Sequence, residues 1–211
     1  MAQENHGCVI MLDGPDGVGK STQVSRLHEA LSSRGYTVHV TRSHGGTPIG
    51  EALREVSLSK KNRPALTDFY ISLAIHAALA EELDAQREAG VISIVDRSPL
   101  SIWAYQVYGS GLGKKIAERL LKSDLALFRP ELMVVYTATL DVLKSRRPEL
   151  HTGNSDYFEN QPEAYFQRTI EGYADAAQRF GATLIDASAS KEEVQQATWA
   201  AVENILPKLQ D

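Results

Sequence analysis

Gly14-Pro15-Asp16-Gly17-Val18-Gly19-Lys20-Ser21 combines glycines, a lysine and a hydroxyl in the pattern G-x-x-x-x-G-K-[ST], with Thr22 following. The glycines let the backbone curl until successive N–H groups converge on phosphate oxygens. A helix starting near Lys20 adds the positive end of its macrodipole. In that arrangement Lys20 reaches the β- and γ-phosphates and the Ser21 hydroxyl binds Mg²⁺. The competing reading is a glycine turn without chemistry. Context separates the two. Ahead lies the apolar run Cys8-Val9-Ile10-Met11-Leu12, a buried strand, and behind it Val24, Leu27 and Leu31 recur as one face of an amphipathic helix. Strand, loop and helix in that order predict a site for a nucleoside triphosphate.

A second constellation follows the apolar run Val91-Ile92-Ser93-Ile94-Val95. It reads Asp96-Arg97-Ser98-Pro99-Leu100-Ser101-Ile102-Trp103-Ala104-Tyr105-Gln106. A carboxylate at the carboxyl end of a strand beside a phosphate loop can hold Mg²⁺ directly or through its water. The adjoining arginine can take a second phosphate through a two-pronged hydrogen bond. A structural ion pair of Asp96 with another cation is the alternative.

Elements that position these residues alternate along the chain. Tyr36 to Val40 reads as a second strand, and a Gly-rich loop follows at Gly45-Gly46-Thr47-Pro48. A long helix runs from about Thr67 to Ala89 and closes at Gly90, as Gly35 closes the first. Leu132 to Tyr136 and Thr183-Leu184-Ile185 are further strands. Ser190 with Glu193 forms a capping box, after which Val194, Ala197, Ala201 and Ile205 share a face. Five strands separated by helices predict an α/β, doubly wound parallel sheet covered on both faces. The polar, aperiodic stretch at about 147–162 reads as a short lid on a single domain spanning 1–211.

The chain has 211 residues, 43% hydrophobic and 23% charged, which suits one globular domain. Its net charge of −5 argues against a protein that grips nucleic-acid backbones. The lone Cys8 excludes an internal disulfide and fits a reducing compartment. No run is long and apolar enough for a bilayer, and the amino end lacks the pattern of a secretion signal. Cytoplasmic location, with no membrane and no nucleic-acid partner, is the expectation.

In order along the chain, three segments resemble those of the thymidylate kinases. Asp13 to Thr22 is similar to their E-G-x-D-G-x-G-K-S-T loop. Thr41-Arg42-Ser43-His44-Gly45-Gly46-Thr47-Pro48-Ile49-Gly50-Glu51 is similar to T-R-E-P-G-G-T-x-x-G-E. The Asp96–Gln106 segment resembles D-R-Y-x-x-S-x-x-A-Y-Q, and Leu184-Ile185-Asp186-Ala187-Ser188 resembles the family's last strand. The resemblance implies a P-loop NTPase fold of the nucleoside-monophosphate-kinase type, small-molecule nucleotide substrates and a homodimer. It implies magnesium-dependent transfer from ATP to a deoxynucleoside monophosphate, dTMP first, giving dTDP.

By the same resemblance Gly14 to Thr22 cradle ATP, and Ser21, Asp96 and Asp16 lie at Mg²⁺. Arg42, Arg54 and Arg97 hold the acceptor phosphate, Ser101 belongs to the same segment, Tyr105 packs under the sugar and Gln106 lies near the base. Arg146 and Arg147, with Arg168, carry transition-state charge; solvated charge at a helix end is the competing reading of the first two. Two polyanions meeting in line need cations around both, which agrees with this set.

The departures cluster. Ser72 and His76 stand where the family has a stacking Phe and an Arg that reaches the base, and both lie on one helix face. Phe69 or Tyr70 could supply a replacement ring. His76 reads either as a donor to a base carbonyl or as a satisfied buried histidine. Ser43-His44 replaces Glu-Pro, and Tyr157 stands where a lid arginine is common. These changes leave open another pyrimidine or modified monophosphate as acceptor, or a nucleotide-sensing module without turnover.

Overall fold

Every residue of β1 (Cys8–Asp13) is buried, so this strand must be covered on both faces and flanked on both edges. The computed structural model, which describes residues 7–59, 63–146 and 161–206, shows how. β1 pairs in parallel with β3 (Ile92–Asp96) on one side and β4 (Leu132–Thr137) on the other. Outside these lie β2 (Val38–Arg42) and β5 (Thr183–Asp186), giving the order β2-β3-β1-β4-β5. On one face Cys8, Ile10 and Leu12 meet Val24, Leu27 and Leu31 of α1 (Lys20–Ser32) and Val194 and Val202 of α8 (Lys191–Glu203). On the other, Val9 and Met11 meet Leu79, Ala80 and Leu83 of α3 (Ala65–Glu88), with Phe128 of α5 (Lys114–Phe128). This is the doubly wound parallel sheet expected from the alternation of apolar runs and helical patterns, and it fits the P-loop fold that the resemblance implies.

Between β2 and α3 lies α2 (Pro48–Leu58), opened by Thr47, whose side chain accepts from the Gly50 N–H, and by Pro48 at its first position. After β3 comes a turn of helix, α4 (Leu100–Ile102), continuing into a π-helical segment over Trp103–Gly109. Two more helices, α6 (Leu140–Arg146) and α7 (Glu163–Phe180), complete the chain's order. Gly172 lets α7 press against the π-helical segment: a Cβ there would sit 2.9 Å from the Ala104 Cα. Among the described residues no helix is long and apolar enough to cross a membrane.

Two expected boundaries shift for identifiable reasons. β2 covers Val38–Arg42 rather than Tyr36–Val40, because pairing with β3 sets its span and carries polar Thr41 and Arg42 into the ladder. Tyr36 instead gives its N–H to Leu31 O, closing α1 with Gly35 at φ 85°. The buried face of α8 is Val194, Thr198 and Val202; Ala197 is exposed and Ile205 lies beyond the helix. Thr198 belongs in that core because its hydroxyl is satisfied by Val194 O and the Tyr136 phenol. The stretch read as a lid lies outside the described residues except for its last two positions.

Candidate active site

β1 leads through α1 to β2 on the far side of β3, and β3 leads on to β4 on the far side of β1, so the strand order reverses between them and their carboxyl ends flank the crevice where such sheets bind ligands. The register sets Leu12 beside Asp96, and Arg97 donates its N–H to Leu12 O at 2.8 Å. Arg97 adopts φ 74°, a left-handed conformation costly for a side chain with a Cβ. That turn aims its guanidinium across the crevice at the phosphate loop. In the loop Gly14 (φ 142°) is obligatory, since a Cβ would lie 2.3 Å from Tyr136 O.

Two adjoining cavities occupy the crevice. One, of about 360 Å³, is lined by Gly17, Gly19, Lys20, Ser21, Thr22, Arg42 and Asp96. The other, of about 170 Å³, runs to Leu58, Ser72, His76, Ile102, Tyr105 and Gln106, with Ser43 and Ser101 on its walls. Asp16, His44, Arg54 and Arg97 line both. A polar, cation-rich compartment thus opens into one with an apolar wall and a few polar groups, as a site for a phosphate joined to a flat ring requires.

The cations are held by the protein's own acceptors. Lys20 Nζ donates to Gly14 O at 2.7 Å and Pro15 O at 3.0 Å. Burial, then Arg97, presses its ammonium below the ordinary lysine range, against the pull of Asp16, Asp96 and Asp13. Arg97 pairs with Asp16 at 2.5 Å, and Tyr105 donates its phenol to the other Asp16 oxygen at 3.0 Å. Burial and then the Asp16 charge hold that phenol well above its usual range, so it remains a donor. Asp16, expected at a metal, therefore organises Arg97 and Tyr105 with both of its oxygens. Arg42 pairs with Glu51 at 2.6 Å, and Arg54 donates to His44 O at 2.7 Å.

Sequence reasoning passed over the residue that joins these parts. Asp13, fully buried, accepts from the backbone N–H of Gly14, Ser98 and Ser101 and from both serine hydroxyls. It ties the phosphate loop to the segment carrying Arg97 and Tyr105. Its signal was a carboxylate at the end of an otherwise apolar strand. Tyr173 of α7, buried against the same segment, adds its phenol 3.0 Å from Ser101 and accepts from Arg97 at 3.2 Å; nothing local in the sequence singles it out.

Among the described residues no three metal-binding side chains cluster, so a metal here would need oxygens from its ligand. That suits Mg²⁺, which is commonly bound by one or two carboxylates together with substrate phosphates. Asp96 Oδ1 is buried, lacks a hydrogen-bond partner and belongs to the cavity that Ser21 lines. An orphaned carboxylate oxygen beside a hydroxyl is the donor set such an ion takes, and the residues fit it.

At the far end, neither proposed replacement ring enters the cavity. Phe69 is buried in the core with Leu100 and Trp103, while Tyr70 is exposed. Ser72 donates its hydroxyl to Asp68 O one turn back. His76 lines the cavity, and its buried ring has a partner, with Nδ1 2.6 Å from Asp124 Oδ2 of α5. Asp124 was not singled out, since only the packing of α5 on α3 reveals it. Buried Gln106 has no partner for Oε1.

His44, in the position of the family's proline, bonds Ser57 Oγ through Nε2 at 2.9 Å. Burial, then the charges of His76 and the three surrounding arginines, lowers its pKa from 6.5 to about 3. It stays neutral where an unfolded chain's histidine takes up a proton. Its contribution to stability is therefore complete above pH 6.5 and drains as the pH falls toward about 3. The slope from this one group is at most about 1.4 kcal/mol per pH unit. Thermal melts at several pH values should show His44→Gln less sensitive to acid than the parent; identical slopes would remove the assignment.

Arg146 reaches the loop, donating to Val18 O at 3.3 Å. Arg147 and Tyr157 lie outside the described residues. Arg168 does not approach the phosphate compartment: it donates to Tyr108 O and Gly109 O and borders a different cavity with Asp68 and Pro162. Helix α7 turns that residue outward while turning Tyr173 in.

A family model described as thymidylate kinase matches residues 12–198. A thymidylate kinase of Dichelobacter nodosus is 36% identical over 90% of this chain and 94% of its own length. One from Pseudomonas fluorescens is 34% identical over 96% of each, and one from Deinococcus radiodurans 33% over 94% and 97%.

Proposed function

The chain belongs to the thymidylate kinase family, and from that premise we propose that it transfers the γ-phosphoryl group of ATP to dTMP, giving dTDP and ADP. The observation that carries this is the pair of adjoining cavities sharing Asp16, Arg54 and Arg97. Triphosphate lies along Gly14–Thr22, with Lys20 at the β- and γ-phosphates. The monophosphate lies in the second cavity, its phosphate held by Arg97 and Arg54 with Arg42, and its sugar over Tyr105. One acceptor oxygen attacks the γ-phosphorus while the β–γ bridging bond breaks, and ADP leaves. Because the nucleophile is already anionic, the residues supply positioning and charge rather than a covalent intermediate. Asp96 and Ser21 would hold Mg²⁺, which would supply neutralisation of the charge on the phosphates. Arg146, from the side of α6, adds positive charge near Val18.

An ADP-release assay with ATP, Mg²⁺ and a panel of monophosphates tests the proposal. Stimulation by dTMP supports it; failure of every nucleoside monophosphate to stimulate release would sink it. Preference for another pyrimidine monophosphate is the second reading, favoured by Ser72 and His76 in place of a ring and an arginine.

Homodimerisation is part of the same proposal. Ile49 and Val56 of α2 and Tyr70 of α3 expose apolar surface on two helices that pack together. Sedimentation should give twice the chain mass, and Val56→Glu should give the monomer; a monomeric parent protein would contradict this. We also place the enzyme in the cytoplasm, consistent with its single buried thiol; cell fractionation would check it.

A further inference from the structure

The deep end of the acceptor cavity contains a polar pair with one open edge. His76 and Asp124 are each only 2% exposed, and Nδ1 of the ring lies 2.6 Å from Asp124 Oδ2. Phe128, one turn beyond Asp124 on α5, sets its ring at 70° to the imidazole with centroids 5.3 Å apart, which holds the imidazole plane. Nδ1 is committed to the carboxylate. Nε2 is the nitrogen left for a ligand, and no described residue hydrogen-bonds to it.

We propose that His76 and Asp124 form a dyad whose proton count selects the edge of the acceptor base: 4-oxo pyrimidines when Nε2 carries hydrogen, 4-amino pyrimidines when it does not. The inference rests on reading this cavity as the pyrimidine monophosphate site and deepens that reading. A dyad with two protons is either carboxylate with imidazolium or carboxylic acid with an imidazole protonated at Nε2. Both arrangements present N–H to the cavity. A dyad with one proton keeps it on Nδ1, because a bare Nδ1 would set its lone pair against the carboxylate, so Nε2 then presents a lone pair. Thymine offers an acceptor at O4 and cytosine a donor at N4, so the two states favour different bases. An arginine at position 76 would only donate. Gln106 does not discriminate, since its amide presents either its oxygen or its nitrogen to the ring.

The other charged or titratable groups around the cavity are His44, Arg54 of α2, Arg97, Asp16 and Tyr105 of the π-helical segment. On α3 itself Asp68, two turns away, is paired with Arg63. Asp124 Oδ1 is buried and without a hydrogen-bond partner among the described residues.

Equilibrium binding of dTMP and of dCMP to the intact protein, measured calorimetrically from about pH 5.5 to 8.5, reads the dyad directly. Taking the ratio of the two affinities cancels the ionisation of their common phosphate. The dTMP:dCMP ratio should fall about tenfold or more from the acid to the alkaline end. The ¹⁵N resonance of His76 Nε2 should move over the same range, and His76→Gln and Asp124→Asn should each hold the ratio constant. A constant ratio in the parent protein overturns the dyad, as does an equal pH response in the variants. Should a variant fail to fold, the parent profile and the resonance decide alone. Absence of binding by either nucleotide in the folded protein would instead remove the pyrimidine-site reading on which the dyad rests.

Discussion

Lys20→Ala lowers the turnover number with ATP and dTMP by about a hundred- to a thousandfold, the scale of losing one preorganised charge donor to the transition state. The melting temperature changes little. The reason lies in the energetics of the side chain: it is 7% exposed, and burial together with Arg97 disfavours its charge. Its deletion removes two hydrogen bonds to loop carbonyls but also relieves a desolvated ammonium. The charge is maintained at a cost to the fold and repaid when phosphate accepts from it. Steady-state kinetics, with circular dichroism to verify folding, provide the check. Unimpaired turnover in a folded variant would mean that the γ-phosphoryl group does not lie at Lys20.

Asp13→Ala has the larger effect on stability, about 3 to 5 kcal/mol, corresponding to ~10 °C in melting temperature. Three buried backbone N–H groups and two serine hydroxyls lose their acceptor at once. No cation pairs directly with Asp13 among the described residues, so these donors stabilise its charge. Turnover falls as well, because the Ser98–Ser101 segment that Asp13 anchors carries Arg97 and Tyr105 to the crevice. Asp13→Asn, which keeps one acceptor oxygen but turns an amide toward N–H groups, lies between the two. Thermal and urea melts measure the effect; an Asp13→Ala protein as stable as its parent would show that the network redistributes onto other acceptors.

Much of the site was legible because its chemistry is local in sequence. A phosphate loop is one turn of chain, so its glycines, lysine and serine sit together, and an apolar run before it already implies a buried strand. Arg97 and Asp96 were legible for the same reason. Asp13, Tyr173 and Asp124 were not. Each acts on a partner far along the chain, 85 residues away for the Asp13–Ser98 contact and 48 for His76–Asp124. Only strand register or helix packing brings such pairs together. The helices after β3 were obscured by motif residues, Ser101, Tyr105 and Gln106, that mix with the apolar positions on which periodicity is read.

By itself, then, the order of residues determined a parallel sheet covered on both faces, a triphosphate cradle after its first strand and an acid–arginine pair after another. Periodicity, glycine placement and charge type are properties of short stretches, and these conclusions need nothing more. Tertiary structure alone decided that β1 and β3 lie side by side, so that Lys20 and Arg97 face one crevice. It alone decided that His76 carries a buried carboxylate behind it, and that Phe69 belongs to the core rather than to the acceptor cavity. Those outcomes depend on which surfaces exclude water against each other, a competition among the whole chain's apolar faces that no local stretch contains.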